Sequence, residues 1–466
     1  MEDVSIRGIA TRVWKNAPAA WSVLALDARR HGERPFTVYE DERVTYESSF
    51  RASATLANWL AAQGIGKGDR VALAMRNLPQ WPVIFFAVTR LGAIVVPLNA
   101  WWTGGELAHA LADSGCSVTF FDAERAQRLT TYLPVLAKLR VVVVARPAAA
   151  AAAVALEDII GRPSRYARLP SVAPLEAHIV ADDDATIFYT SGTSGMPKMV
   201  WELFGHPERS EFDLSSLESV AFGVAPTPVD LARRVRDELG AMPGTGWGMT
   251  ETMSTVSSVS GADFLAHPSS CGLPVPVADW KLKDPLTARD LPLGEIGELW
   301  IKGPMVASGY WNRPEHTALV FENGWMRSGD LARFDADGFC TIVDRLKDVV
   351  IRGGENIYCA EVEAVLGDHP AVAEAALIGV PHQTLGEEPM AIVRHVPGRD
   401  VLETELQAWV RGRLAAYKTP VRIRFVQELL PRNAGGNLLK AQLRALCASE
   451  LDLCVPHAHA SSEAGA

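Results

Sequence analysis

Between residues 46 and 121 the apolar residues change period in a fixed order. Ser49 to Gln63 places them three and four apart, the repeat of one helix face. Val71 to Met75 is a short apolar run after the turn Gly66-Lys-Gly-Asp69. Trp81 to Leu91 reads as a helix, Ala93 to Val96 as a buried strand, Thr103 to Ser114 as a helix and Val118 to Phe121 as a strand. Strand, helix, strand, helix, strand predicts a parallel sheet covered by helices. At 466 residues the chain has room for about two to four domains.

Further along, Asp182-Asp-Asp184 precedes an expected strand, Ala185 to Tyr189, and the alanine run at 147–154 reads as a surface connection. The last third changes character. Gly294 to Ile301 and Gly338 to Val343 are strand-like pieces between turns. From about Leu346 a small α+β unit follows, with helices near 360–367 and 402–416 and strands near 372–380 and 421–426. The expected fold is α/β: a large N-terminal domain (1–344) of mixed and parallel sheets covered by helices, a small α+β C-terminal domain (345–450), and a disordered tail (451–466).

Charge and cysteines narrow the function. A net charge of −10 argues against a nucleic-acid backbone as partner. Six scattered cysteines form neither a disulfide framework nor a zinc spacing. The N-terminus lacks an apolar signal core, and Arg90 and Arg146-Pro147 interrupt the longest apolar stretches too early for a bilayer span. A cytoplasmic protein without an integral membrane segment is expected; the sequence is silent on oligomeric state.

Four strings can carry chemistry. In Tyr189-Thr-Ser-Gly-Thr-Ser-Gly-Met-Pro-Lys198, glycines in a hydroxyl-rich turn expose backbone N–H groups beside a lysine, donors suited to a polyphosphate. It is not a Walker A loop, because Gly-Lys-Ser/Thr is absent. In Gly246-Trp-Gly-Met-Thr-Glu251 a flat aromatic can stack on a purine, Thr250 can donate to a phosphate and Glu251 can hold Mg²⁺. In Arg327-Ser-Gly-Asp330 a carboxylate can take ribose hydroxyls. Asp344-Arg-Leu-Lys-Asp348, before Ile351-Arg-Gly-Gly-Glu-Asn356, sits where a hinge would fall. Taken singly, a packed tryptophan, a turn carboxylate and a solvated charge run are the commoner readings of the last three.

Taken in order, YTSGTSGMPK, GWGMTE, GELWIKGPMVASGYW, MRSGDL and DRLKDVVIRGGENIYCAEVE resemble the adenylate-forming (AMP-binding) superfamily, of the acyl-CoA synthetase or fatty-acid–CoA ligase type, from about Ala19 to Leu446. The resemblance implies an ATP-dependent acid–CoA ligase. ATP and a carboxylic acid give an acyl-adenylate and pyrophosphate, then the CoA thiol displaces AMP, the small domain rotating in between. By match, Thr190, Ser191, Gly192, Thr193, Ser194, Gly195 and Lys198 would handle the β- and γ-phosphates. Gly223, Val224 and Ala225 would line the nucleotide site. Trp247, next to Gly248, would stack on adenine, Thr250 would contact the α-phosphate and Glu251 would hold Mg²⁺. Asp330 and Arg345 would hold the ribose, Lys347 would be the hinge, and Arg352, Gly353 and Gly354 would line the CoA tunnel.

Two departures qualify this. Where the family places a lysine that contacts the acid and the α-phosphate, Pro431-Arg-Asn-Ala-Gly-Gly-Asn-Leu-Leu-Lys440 has Asn437. The resemblance leaves the thioester step independent of that lysine; Lys440 lies three residues on. Second, Trp201-Glu-Leu-Phe-Gly-His-Pro207 follows Pro197-Lys-Met-Val200 directly, so that roughly 90 residues of the family pattern, the scale of a small domain, are missing near 200/201. That segment carries much of the acyl pocket and part of the sheet, and its loss is expected to leave apolar faces uncovered, such as the one bearing Phe222 and Val224. Two functions follow: a ligase for a carboxylic acid, fatty or related acids first, impaired in adenylation by Asn437 and the deletion; or a non-catalytic nucleotide- or CoA-binding remnant of one.

Overall fold

The structure is a computed structural model. It describes all residues except 16–19, 148–152, 172–176, 181, 190–195, 224–228, 254, 433–437 and 452–466. The chain divides into two compact units, Met1–Thr190 with Gly309–Thr317, and Ser191–Ser308 with Ala318–Ala466.

In the first unit the alternating segments become strands Arg70–Ala74, Ile94–Pro97, Val118–Asp122 and Val141–Ala145, all parallel. Val71, Leu73, Val95 and Phe120 enter one buried cluster and Ala72, Ala74, Val96 and Phe121 another, so successive residues fill the two faces. Helices Tyr46–Ala62, Gln80–Arg90 and Gly104–Ser114 supply apolar residues to these clusters. Two helices start on reciprocal caps, Thr45 with Ser48 and Thr103 with Glu106.

One expectation fails here. Ala185 to Tyr189 is not a strand: only Thr186 bridges Val95. Val95 accepts from Ile187 and donates to Ala185. The next donor on that edge would be Pro97, which has no N–H, so the ladder stops. Of the alanine run, 148–152 lie outside the described residues; beyond it Val154–Ala155 form a two-residue strand paired to Val143–Val144.

Among the described residues the second unit holds three sheets. The first orders strands Ser219–Ala221, Met242–Gly248, Thr255–Ser260 and Leu273–Pro274; the first two are parallel, the others antiparallel. The second is an antiparallel sheet of Asp279–Lys283, Ile296–Lys302, Trp325–Phe334, Phe321–Glu322 and Cys340–Arg345. The third contains Val350–Arg352, Glu355–Ile357, Val372–His382, Gly386–His395 and Arg422–Val426. Helices Cys359–Gly367 and Glu403–Arg411 share a core with one face of it; Lys440–Leu451 contributes Leu443 and Cys447 to the other. Gly386–His395 and Lys440–Leu451 were not read from sequence.

The join at 200/201 does not interrupt secondary structure. One helix, Met196–Gly205, runs through it. Val200 is buried with Phe222, Leu231, Val235 and Phe264. The expected bare face at Phe222 is therefore covered, with Phe222 only 4% exposed; Val224 lies outside the described residues. Helix Val229–Leu239 is amphipathic, burying Leu231, Ala232 and Val235. Ser219–Ala221 is an edge strand of its sheet among the described residues, with Ser219 and Ala221 exposed. Because Phe222 fills this core, Phe222→Ala is expected to cost about 3–5 kcal/mol. Urea unfolding should show it as a lower midpoint; an unchanged midpoint would mean the core is not packed this way.

Candidate functional site

Trp247, Asp330 and Arg345 meet in the second unit. The Trp247 indole N–H donates to Asp330 Oδ2 at 3.0 Å. Arg345 Nε lies 2.6 Å from Asp330 Oδ1. That approach is too bent for a hydrogen bond, so Oδ1 is a buried acceptor without one. Asp330 is 2% exposed. Burial pushes its carboxyl above the ordinary value; the Arg345 guanidinium and the indole N–H pull the other way, and Asp344 and Glu251 add to the rise.

Local backbone sets this geometry. Asp330 and Arg345 are cross-strand partners in the Trp325–Phe334 and Cys340–Arg345 pair. On the other edge, Glu298 faces Leu331 while Trp300 faces Arg327, so Ser328, Gly329 and Asp330 bulge opposite Leu299. Gly329 takes φ +69°, and Ser328 Oγ accepts the Asp330 N–H at 3.0 Å. The bulge aims the Asp330 side chain. Gly246 brings the Trp247 strand close to its neighbour: a Cβ there would lie 2.4 Å from Ser257 O and 2.8 Å from Thr255 Cγ2. Gly246→Ala is therefore expected to cost about 1–3 kcal/mol through overpacking against backbone. Urea unfolding would read it, and wild-type stability would overturn it.

Thr250 and Glu251 sit on the short 3₁₀ turn Thr250–Thr252. Thr252 Oγ1 accepts the Met249 N–H at 3.0 Å, and Ala307 N–H donates to Glu251 O at 2.7 Å. Gly248 ends the Trp247 strand and Gly223 follows Ser219–Ala221, where Phe222 N–H bonds Gly244 O. Thr190, Ser191, Gly192, Thr193, Ser194, Gly195, Val224, Ala225 and Asn437 lie outside the described residues. Lys198 is on helix Met196–Gly205, its side chain likewise outside them.

The remaining candidates are on the third sheet or at its start. Lys347 is exposed on the turn Leu346–Asp348. Arg352 pairs with Glu355, leaving Gly353-Gly354 as a two-residue hairpin turn. Their φ values, +59° and +87°, suit a primed turn and explain the glycines. Gly353 N–H donates to Leu385 O at 2.7 Å, and Arg352 pairs with Glu388 at 3.3 Å. Lys440 Nζ is 2.9 Å from Glu363 Oε1 and buried. Burial pulls its ammonium down, but Glu363, Cys359 and Asp344 hold it above the ordinary value.

Sequence reading gave Asp344 no role of its own. Its Oδ1 accepts the Arg345 N–H at 2.7 Å and its Oδ2 the Ala360 N–H at 3.3 Å, at the start of helix Cys359–Gly367. A helix start with no side-chain cap of its own was the available signal. Among the described residues no cluster of three or more metal-type ligands occurs and no helix is long and apolar enough to cross a membrane.

A buried carboxylate thus lies beside an aromatic and a guanidinium in the second unit. The chain belongs to the AMP-binding enzyme family and is by family an acyl-CoA synthetase: the family model matches residues 24–202 and 201–311, and the model of the AMP-binding enzyme C-terminal domain matches 361–437. It is 35% identical over 483 residues to a feruloyl-CoA synthase of Amycolatopsis sp, covering 86% of this chain and 93% of that one. It is 31% identical over 487 residues to a long-chain-fatty-acid–CoA ligase of Mycobacterium tuberculosis, covering 87% and 93%. The solved o-succinylbenzoate CoA synthetase of Bacillus subtilis, in complex with its acyl-adenylate intermediate, superposes with a TM-score of 0.70 at 26% identity, covering 92% and 98%. The family match breaks at 201–202. With 86% of 466 residues, about 400, spread over 483 aligned positions, about 80 positions carry no residue of this chain.

Proposed function

We propose that the chain is an ATP-dependent acid–CoA ligase that forms an acyl-adenylate and passes the acyl group to CoA. The observation that carries this is the Trp247–Asp330–Arg345 constellation, with one buried carboxylate oxygen that no hydrogen bond reaches. In this reading Asp330 accepts ribose hydroxyls, Arg345 stands beside it, Trp247 offers its ring to adenine, and Thr250 donates to the α-phosphate. Gly223, Val224 and Ala225 line the nucleotide. Thr190 to Gly195 and Lys198 hold the outer phosphates.

Mg²⁺ usually keeps several waters and binds through one or two carboxylates plus substrate phosphates. Glu251, a carboxylate on the Thr250–Thr252 turn, is of the donor type that suits a cation arriving with ATP. The cation would neutralise phosphate charge; Glu251 would orient it, its turn fixed by Ala307. Lys347 is the hinge between a 1–344 and a 345–450 domain, and Arg352, Gly353 and Gly354 border the CoA path. Lys440, already paired with Glu363, does not replace the missing lysine.

Fatty or related apolar acids remain the first substrate class to test, with aromatic acids beside them, because named relatives include both feruloyl and long-chain-fatty-acid ligases. The test is pyrophosphate release from MgATP with a panel of carboxylic acids, followed by CoA thioester formation. A second reading, a nucleotide- or CoA-binding chain without turnover, is favoured by Asn437 and the break at 201–202. AMP binding without pyrophosphate release from any acid would select it.

A further inference from the structure

The Trp247 indole and the Asp330 carboxylate come from strands of two different sheets and are 83 residues apart. Both ends of their hydrogen bond are anchored. The Trp247 strand is pressed against its neighbour at Gly246, and Asp330 is aimed by the Ser328–Gly329 bulge. The two carboxylate oxygens are not equivalent. Oδ2 accepts one neutral, aligned donor; Oδ1 has only the off-line guanidinium of Arg345, whose side chain is half exposed. Oδ1 is therefore the oxygen that still lacks a hydrogen bond, and a donor reaching it would leave the Trp247 bond in place. Stacking would use the faces of the indole, whereas this bond uses its edge, so one ring can do both.

We infer that Trp247 is a positioning residue for Asp330: its indole N–H fixes one carboxylate oxygen and so presents the other to a ribose hydroxyl. The inference rests on the nucleotide-site reading above. It predicts that the Trp247 N–H contributes to affinity only for nucleotides that have ribose hydroxyls.

The test measures calorimetric binding of AMP and of 2′,3′-dideoxy-AMP to the full chain, with Trp247 as it is and replaced by 3-benzothienylalanine, which keeps the bicyclic ring but has sulfur in place of N–H. The expected result is an AMP Kd raised roughly 2- to 10-fold, the range of one lost neutral hydrogen bond, with the dideoxy Kd unchanged. In an Asp330→Asn background the same replacement should leave the AMP-to-dideoxy ratio unchanged. Trp247→Phe, made in parallel, should shrink that ratio while also weakening both ligands through lost ring area. Equal weakening of both nucleotides by the benzothienyl ring, or no change in either, would overturn the positioning role while leaving the site reading intact. A wild-type chain that binds neither nucleotide would overturn the site reading and this inference with it.

Discussion

Asn437→Lys is expected to raise acid-dependent pyrophosphate release about 10²–10³-fold, the usual value of one preorganised donor at a developing charge. An amide at 437 can donate a hydrogen bond but cannot supply positive charge when the acid carboxylate attacks the α-phosphate. The nearest lysine in sequence, Lys440, is buried against Glu363 and faces Asp344. Pulling it out would leave those carboxylates without their cation, a loss comparable to breaking a buried pair, about 3–5 kcal/mol. The gain should be confined to the first half-reaction: thioester formation from a supplied acyl-adenylate should change little. Equal pyrophosphate release by both proteins would show that 437 does not limit adenylation. Release from neither, with AMP still bound, would favour the non-catalytic reading.

Asp330→Asn is expected to have opposite effects on stability and on nucleotide affinity. Burial raises the Asp330 carboxyl above its ordinary value of about 3.9. An acid with a higher pKa in the folded chain holds its proton more tightly there than in the unfolded chain. Its contribution to stability is complete below the unfolded-state value and is lost as pH rises through the folded-state value. A neutral amide escapes that loss. The variant should therefore have a higher Tm than wild type at pH 7.5, with the difference shrinking as pH falls toward 4. Arg345 is half exposed, so water can solvate it after the charge is gone. AMP affinity should fall about 10- to 100-fold, since a hydrogen bond to a charged acceptor contributes about 1.5–3 kcal/mol. A Tm gain that does not depend on pH would mean Asp330 is not held with a raised pKa. Unchanged AMP affinity would remove it from the site.

Much of the fold was legible because period reports burial. Runs such as Val71–Met75 and Val118–Phe121 sit where expected, since strands buried on both faces cannot alternate with polar residues. Ala185–Tyr189 has a similar composition but failed as a strand because its intended partner edge ends in Pro97, a feature of another segment. Gly386–His395 was missed since Glu387, Glu388 and Pro389 open it in turn-like fashion; it is held by pairing to Val372–His382 and Arg422–Val426. Phe222 was expected to be bare because the sequence shows what is missing at 200/201, but not that the helix formed across the join buries Val200 beside it.

By itself the sequence determined the periodic elements, the ordered strings that mark the family, and the residue types able to meet phosphate, ribose and base. Tertiary structure alone decided which of them touch. It set Trp247 against Asp330 across two sheets, used the Ser328–Gly329 bulge to aim the carboxylate, and committed Lys440 to Glu363. The physical reason is that side-chain period is a local property, whereas strand pairing, bulges and buried charge pairs are set by chain segments far apart in sequence.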